Sequence, residues 1–289
     1  MTEYLQKNFD WRRPEITAVN DDWSAWSAAF ALLMLKHVPM RPDQRYLDLA
    51  CGTGVPLVQL VERLGPSCRA VGVDLGWWQG LRRAQQKVRT WQIPNASLLN
   101  ADGAQLPFGE QIFDLIVSNL GINNFSDPAK AFRECWRVAR PGGILALTTN
   151  LTGHMQEFYD VYAETLVEMG RADRLPELEK HIQHRGSEAS LRGQLAEAGF
   201  EVRRVFHEPF SMRYLNGSAL LRQSNIVLGF LSNWRAILPK ELEQAFFARL
   251  EENLNHAAER RGELVLTIPA CYMEAVKYQS LIAAQIPVY

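Results

Sequence analysis

The stretch Arg45-Tyr-Leu-Asp-Leu-Ala-Cys-Gly-Thr-Gly54 constrains the fold more than any other in the chain. Tyr46 to Leu49 is an apolar run of buried-strand length, and Leu57-Val-Gln-Leu-Val61 opens a helix after the glycine pair. A strand, a glycine turn and a helix make the first half of a βαβ unit. Gly52 and Gly54 have no Cβ, so the turn is sharp and a ligand can approach the backbone closely. The turn leads into a helix N-terminus, where free N–H groups favour anionic or polar atoms. Asp48 stands inside the apolar strand, and a carboxylate there is costly unless it binds something. The plainer reading is a strand-end acid bonded to loop amides.

Further on, Ala70-Val-Gly-Val-Asp74 reads as a second buried strand ending in an acid, which suits the two hydroxyls of a ribose. Two cofactor classes fit that pair, a dinucleotide or another adenosine derivative. The dinucleotide fingerprint wants a third glycine at position 57 for close helix–strand packing, and this chain has Leu57 there, after Pro56. Asp48-Leu-Ala-Cys-Gly-Thr-Gly54 instead resembles the first motif of the class I S-adenosylmethionine (SAM) dependent methyltransferases. The resemblance continues through Asp74, Asn100-Ala-Asp-Gly103, Leu106-Pro-Phe108, Phe113-Asp-Leu-Ile-Val117 and Arg137-Val-Ala-Arg-Pro-Gly-Gly143. It is similar in character to the small-molecule branch (methyltransferase type 11) that includes ubiquinone and menaquinone biosynthesis enzymes.

That resemblance implies an α/β, Rossmann-like class I methyltransferase fold. It has a seven-stranded, mostly parallel sheet with helices on both faces, and here a helical lid insertion. It implies SAM as cofactor, held by Asp48, Ala50, Gly52, Gly54, Asp74, Leu75, Asp102, Gly103, Ala104, Asn119 and Leu120. Gly52 and Gly54 would face the methionine and sugar portions, Asp74 the ribose, and Leu75 the adenine. Asp102 would accept from the adenine amino group, although an acid at that place also caps turns. Asn119-Leu-Gly-Ile122 departs from the Asn/Asp-Pro-Pro-Tyr type of the DNA and protein-glutamine enzymes, which argues against base or amide N-methylation.

Composition narrows the alternatives. A formal net charge of −1 and the lack of a basic stripe argue against a general nucleic-acid binder. Cys51, Cys68, Cys135 and Cys271 show no metal-ligand spacing, so no metal is expected and reduced thiols are. The polar residues Met1 to Lys7 lack an apolar signal core. The apolar run Ala219 to Leu238 is broken by Arg222, Gln223 and Arg235, so no membrane span is expected and the protein reads as cytoplasmic.

Five segments are expected within one overall domain: a helical cap over 1–40, a cofactor core over 41–152, a helical segment and sixth strand over 153–208, a lid over 209–262 and a last strand with its tail over 263–289. In the cap, Asn20-Asp-Asp22 is a helix start, and Trp23 and Trp26 are candidate substrate-pocket aromatics. Leu32, Leu33 and Leu35 should pack on the sheet. Strands are expected near 45–49, 70–74, 97–101, 113–118 and 143–149, with Arg140 to Gly143 as a turn. Asn123, His154 and Tyr159 are candidate substrate contacts. His154 and Tyr159 are also the candidate general bases, since a neutral imidazole suits removal of a hydroxyl proton. His181 and His184 lie in a polar stretch and should be exposed. Leu242, Phe246, Leu250, Leu254 and Ala257 fall on one helix face. The apolar insertion points to a hydrophobic or aromatic substrate or to a homodimer contact. The expected function is methyl transfer from SAM to a small apolar or aromatic molecule, at oxygen or carbon. The alternative is a SAM-binding regulatory or scaffold subunit without catalysis.

Overall fold

A computed structural model describes residues 2–7, 9–22, 25–75 and 78–278. Trp23 and Trp77 lie outside the described residues. Helices α1 (Pro14–Asp22) and α2 (Ala25–His37) come first, so Asn20 to Asp22 closes one helix rather than opening the next. Strands and helices then alternate: β1 (Arg45–Leu49), α3 (Val55–Leu64), β2 (Arg69–Asp74), α4 (Trp78–Thr90), β3 (Ala96–Asn100), β4 (Phe113–Asn119), α5 (Pro128–Val138) and β5 (Ala139–Asn150). Next come α6 (Gln156–Glu168), α7 (Leu175–Gln183), α8 (Glu188–Glu197), β6 (Phe200–His207) and β7 (Phe210–Tyr214). Three short helices follow, α9 (Gly217–Arg222), α10 (Ser224–Gly229) and α11 (Leu231–Arg235). The long α12 (Glu243–Arg261), β8 (Leu264–Ile268) and β9 (Ala270–Lys277) close the described chain.

The chain forms two compact units. The helical unit takes Met1–Trp26, Asn150–Glu188 and His207–Cys271; the sheet unit takes Ser27–Thr149, Ala189–Phe206 and Tyr272–Tyr289. The stretch 153–208 is therefore divided. Helix α7 packs on α6 in the helical unit, whereas β6 joins the main sheet.

In the sheet unit the strand order is β3-β2-β1-β4-β5-β9-β6. The pairs from β3 through β5 are parallel. The chain winds outward from β1 in both directions, so β1 lies between β2 and β4, with Asp48 level with Gly72 on one side and Val117 on the other. That reversal is where parallel α/β sheets bind ligands, beyond the carboxyl ends of the strands. The close packing of α3 on the sheet has an unusual source. A Cβ on Gly72 would lie 2.7 Å from Leu57 Cδ2 and 2.8 Å from Leu98 Cδ2. The space that a third glycine on the helix leaves in dinucleotide enzymes is here left by a strand glycine, and fully buried Leu57 fills it. Helix α2 buries Phe30, Leu33 and Leu35, while Leu32 faces solvent, contrary to expectation. Arg140 to Gly143 is not a separate turn but an irregular stretch within β5. The register jumps from Phe113↔Ala139 to Leu115↔Ile144 across it.

The helical unit contains the β7–β8 pair, antiparallel from Phe210↔Ile268 to Tyr214↔Leu264. The sequence reads 263–277 as one last strand in the main sheet. Pro269 divides it, because proline has no N–H to continue a ladder. The part before Pro269 pairs with β7, and the part after it enters the main sheet as β9. Helix α12 packs on α6, α9 and β8. Phe246, Leu250, Leu254 and Ala257 are buried at the expected spacing, while Leu242 sits at the N-cap and is not fully covered. Leu220, Leu221, Ile226, Leu231 and Trp234 of the insertion are buried too. The apolar bulk that suggests a lid or dimer face is thus largely used inside this unit.

Candidate functional site

In the sheet unit, the ends of β1, β2 and β4 bring together most of the residues expected to hold a cofactor. Asp48 is fully buried in β1, and neither carboxylate oxygen has a hydrogen-bond partner among the described residues. Burial pushes its pKa up to about 8, and Asp74 nearby adds to the rise. The Tyr46 hydroxyl and the Leu57 N–H oppose the rise from outside normal hydrogen-bond geometry. Asp74 accepts a 2.7 Å hydrogen bond from the Gly52 N–H, which ties the end of β2 to the glycine turn. Burial raises its pKa as well, against two backbone N–H groups that lower it. Gly54 has φ +80°, and a Cβ there would lie 2.8 Å from Ala84 Cβ, so the turn admits only glycine. Ala50 and Leu120 both take φ +61°, a region costly for residues with a Cβ. They follow the adjacent strands β1 and β4, at the two strand ends that flank the topological reversal.

The remaining positions have clear places. Leu75, directly after Asp74, is 57% exposed, unusual for a leucine beside a buried strand end. Asp102 is exposed and accepts from the Ala104 N–H at 2.8 Å, so it does cap the turn and leaves Oδ2 for another donor. Gly103 is buried, and a Cβ there would come within 3.1 Å of Leu49 Cδ1. Asn119 is fixed at both ends, accepting from Thr148 Oγ1 at 2.7 Å and donating to the Ser27 carbonyl at 3.3 Å. Asn123 accepts from Thr149 Oγ1 at 2.6 Å. Both asparagine carbonyls are thereby committed within the fold.

The other candidates belong to the helical unit. His154 is 3% exposed, and both ring nitrogens lack a partner among the described residues. Its ring is edge-on to Trp26 at 5.4 Å and stacked with Phe230 at 5.8 Å. Burial, then the charges of Arg185 and His181, depress its pKa to about 3. It is neutral at pH 7 but a weak base, because an effective general base has a pKa near the working pH. Tyr159 is buried, and burial raises its pKa. Its hydroxyl lies 3.0 Å from His181 Nε2 and receives the Trp234 Nε1–H at 3.3 Å. His181 is partly buried in this cluster, not exposed as its polar neighbourhood suggests; His184 is exposed. Arg185 lies just beyond the end of α7, where the sequence carries no motif that singles it out. No group of three or more His, Cys, Asp or Glu side chains suited to a metal ion occurs among the described residues. No described helix is long and apolar enough to cross a membrane.

Comparison with known proteins decides the family. Residues 47–147 match a family described as a methyltransferase domain. Over 172 residues the chain is 31% identical to the ubiquinone/menaquinone biosynthesis C-methyltransferase UbiE of Proteus mirabilis (strain HI4320), covering 56% of this chain and 68% of that one. The chain belongs to the class I SAM-dependent methyltransferase family. The YcgJ protein of Bacillus subtilis superposes with a TM-score of 0.56 at 17% identity, over 88% of this chain and all of that one. The phosphoethanolamine N-methyltransferase 2 of Haemonchus contortus, in a complex with S-adenosylhomocysteine, gives 0.51 at 19% identity, over 88% of this chain and 53% of that one. These two likenesses concern the fold alone.

The residues of this methyltransferase fit the family's cofactor. SAM is cationic at its sulfonium and carries an ammonium, and Asp48 is a buried carboxylate with no partner of its own. Gly52 has open space where a Cβ would lie, and Asp74 stands one strand away.

Proposed function

We propose that this methyltransferase transfers a methyl group from SAM to a small apolar or aromatic molecule, at carbon or oxygen. Asp48 would balance the cofactor's positive charge, and Asp74 would accept from the ribose hydroxyls. Leu75 would pack on the adenine, with Asp102, Gly103 and Ala104 along the ring edge. Ala50, Gly52, Gly54, Asn119 and Leu120 would shape the backbone around the methionine portion. When bound, SAM supplies an electrophilic methyl group on sulfur. The chain's part is then to bind, orient and keep water away from the acceptor. The observation that supports the acceptor class is the aromatic environment of His154 in the helical unit, made by Trp26 and Phe230, with Phe210 against Trp26 in turn. The C-methyltransferase activity named for the Proteus relative supports carbon as one destination. With His154 so weak a base, an acceptor that is already ionised, or whose carbon is activated by a ring oxygen, suits the chain best.

The test is incubation with isotopically labelled methyl-SAM and a panel of catechols, hydroquinones, naphthalenediols and their carboxylic acids. The expected result is label in at least one ring compound, with S-adenosylhomocysteine formed in equal amount. Nuclear magnetic resonance of the product separates C- from O-methylation. Tight cofactor binding with no label in any acceptor would overturn the proposal in favour of a non-catalytic SAM-binding subunit.

A further inference from the structure

The helical unit brings buried His154 together with half-buried Arg185 and His181, and no carboxylate acts on any of the three. His154 precedes α6 in a turn pinned by two hydrogen bonds from its neighbours. The Met155 N–H donates to the Thr267 carbonyl at 2.9 Å, and Thr152 Oγ1 donates to the Arg185 carbonyl at 3.0 Å. The Thr152 N–H also donates to the Gly186 carbonyl at 3.1 Å, so the loop carrying Arg185 is fastened beside the turn carrying His154. Arg185 Nε is buried and has no acceptor among the described residues. The charged or polar groups that act on Arg185, His154 and His181 are one another, Tyr159 and His184; no carboxylate is among them.

A guanidinium cannot shed its charge as a lysine or histidine can. Removing even part of it from water without a counter-ion is costly. His154 adds two buried ring nitrogens, each of which gains by finding a partner. Internal packing leaves Arg185 Nε and both His154 ring nitrogens without a partner among the described residues, though it satisfies their neighbours Tyr159 and Trp234. A carboxylate answers two of the three, the guanidinium and the ring nitrogen that carries the imidazole proton. A planar anionic oxygen pair matches the guanidinium fork and accepts an imidazole N–H, and the flat walls of Trp26 and Phe230 suit a ring.

We propose that the helical unit binds a small aromatic carboxylate, its anion held by Arg185 and His154 and its ring against Trp26 and Phe230. His154 and Arg185 are then binding residues, and His181 with Tyr159 positions them. The inference rests on the methyl-transfer reading only in naming this ligand the acceptor; the binding itself needs no transfer. A bound carboxylate also opposes the charge of Arg185, which favours protonation of His154 and makes it a stronger donor.

The probes are 1-hydroxy-2-naphthoate and its neutral isostere 1-hydroxy-2-naphthamide, titrated calorimetrically into the wild type, Arg185→Gln and Arg185→Lys. The expected result is at least tenfold tighter binding of the acid by the wild type, loss of that preference in Arg185→Gln and its retention in Arg185→Lys. Far-UV dichroism checks that each variant is folded. Equal or undetectable binding of the two probes by the wild type, or a preference that survives Arg185→Gln, overturns the proposal. S-adenosylhomocysteine is titrated separately into the wild type. Failure there strikes the cofactor assignment and leaves this site standing.

Discussion

Replacing Asp48 by Asn is expected to stabilise the ligand-free protein while weakening its hold on SAM. The carboxyl rises from an ordinary 3.8 to about 8 in the folded chain, chiefly through burial. Below the unfolded value it is protonated in both states and has no effect. Between the two values the folded chain keeps a proton that the unfolded chain has released, so stability falls as pH rises through that window, by about 1.4 kcal/mol per unit. At pH 7 the cost approaches about 4 kcal/mol on that basis, and local relaxation on ionisation reduces it to about 2. Asparagine has the same shape and no titration. Urea unfolding should therefore show a gain for Asp48→Asn that is small near pH 4 and grows to about 2 kcal/mol or more by pH 8. SAM affinity should drop at least about tenfold, because a cation loses its buried counter-charge. A gain that does not change with pH, or a loss of stability, would show that Asp48 is not the strained group described here.

Trp234→Ala is expected to be among the costliest single changes in the helical unit. The indole is fully buried and stacked on Phe158 at 4.0 Å. Its Nε1–H donates to Tyr159, and its backbone carbonyl accepts from Tyr162 at 2.9 Å. Truncation removes the stacking and leaves a large cavity among Phe158, Phe230 and Tyr159, which costs about 3–5 kcal/mol for a buried aromatic. Trp234→Phe keeps most of the ring and loses mainly the hydrogen bond, a cost of about 1–2 kcal/mol. Denaturant midpoints of the two variants check the ordering. A cost below about 1 kcal/mol for Trp234→Ala would mean that α11 does not anchor this core.

The sheet unit was legible because its signals are local. Tyr46 to Leu49, Ala70 to Asp74 and Phe113 to Val117 are short apolar runs, and the helices between them start at recognisable caps, such as Asp127, which accepts from the Lys130 N–H. The strand pairing follows from alternation and crossover handedness. The helical unit was not legible in the same way, because tertiary packing decides its features. Pro269 could have been read as a break in the last strand, yet only the pairing of β7 with β8 shows where the first half goes. Glu179-Lys-His-Ile-Gln-His-Arg185 looks like a solvated face, and His181 within it meets Tyr159 on a different helix. The same holds for the close packing of α3. The missing glycine at position 57 is visible in the sequence, but its replacement by the space at Gly72 is not.

The most direct measurement is calorimetric titration of SAM and S-adenosylhomocysteine into the wild type and Asp74→Ala. Asp74 holds the glycine turn through the Gly52 N–H and is the expected acceptor for the ribose hydroxyls. The account predicts binding by the wild type and at least about tenfold weaker binding by the variant, near 1.4 kcal/mol for the lost charge-assisted hydrogen bonds. Failure of the wild type to bind either ligand, or equal binding by Asp74→Ala, would contradict it.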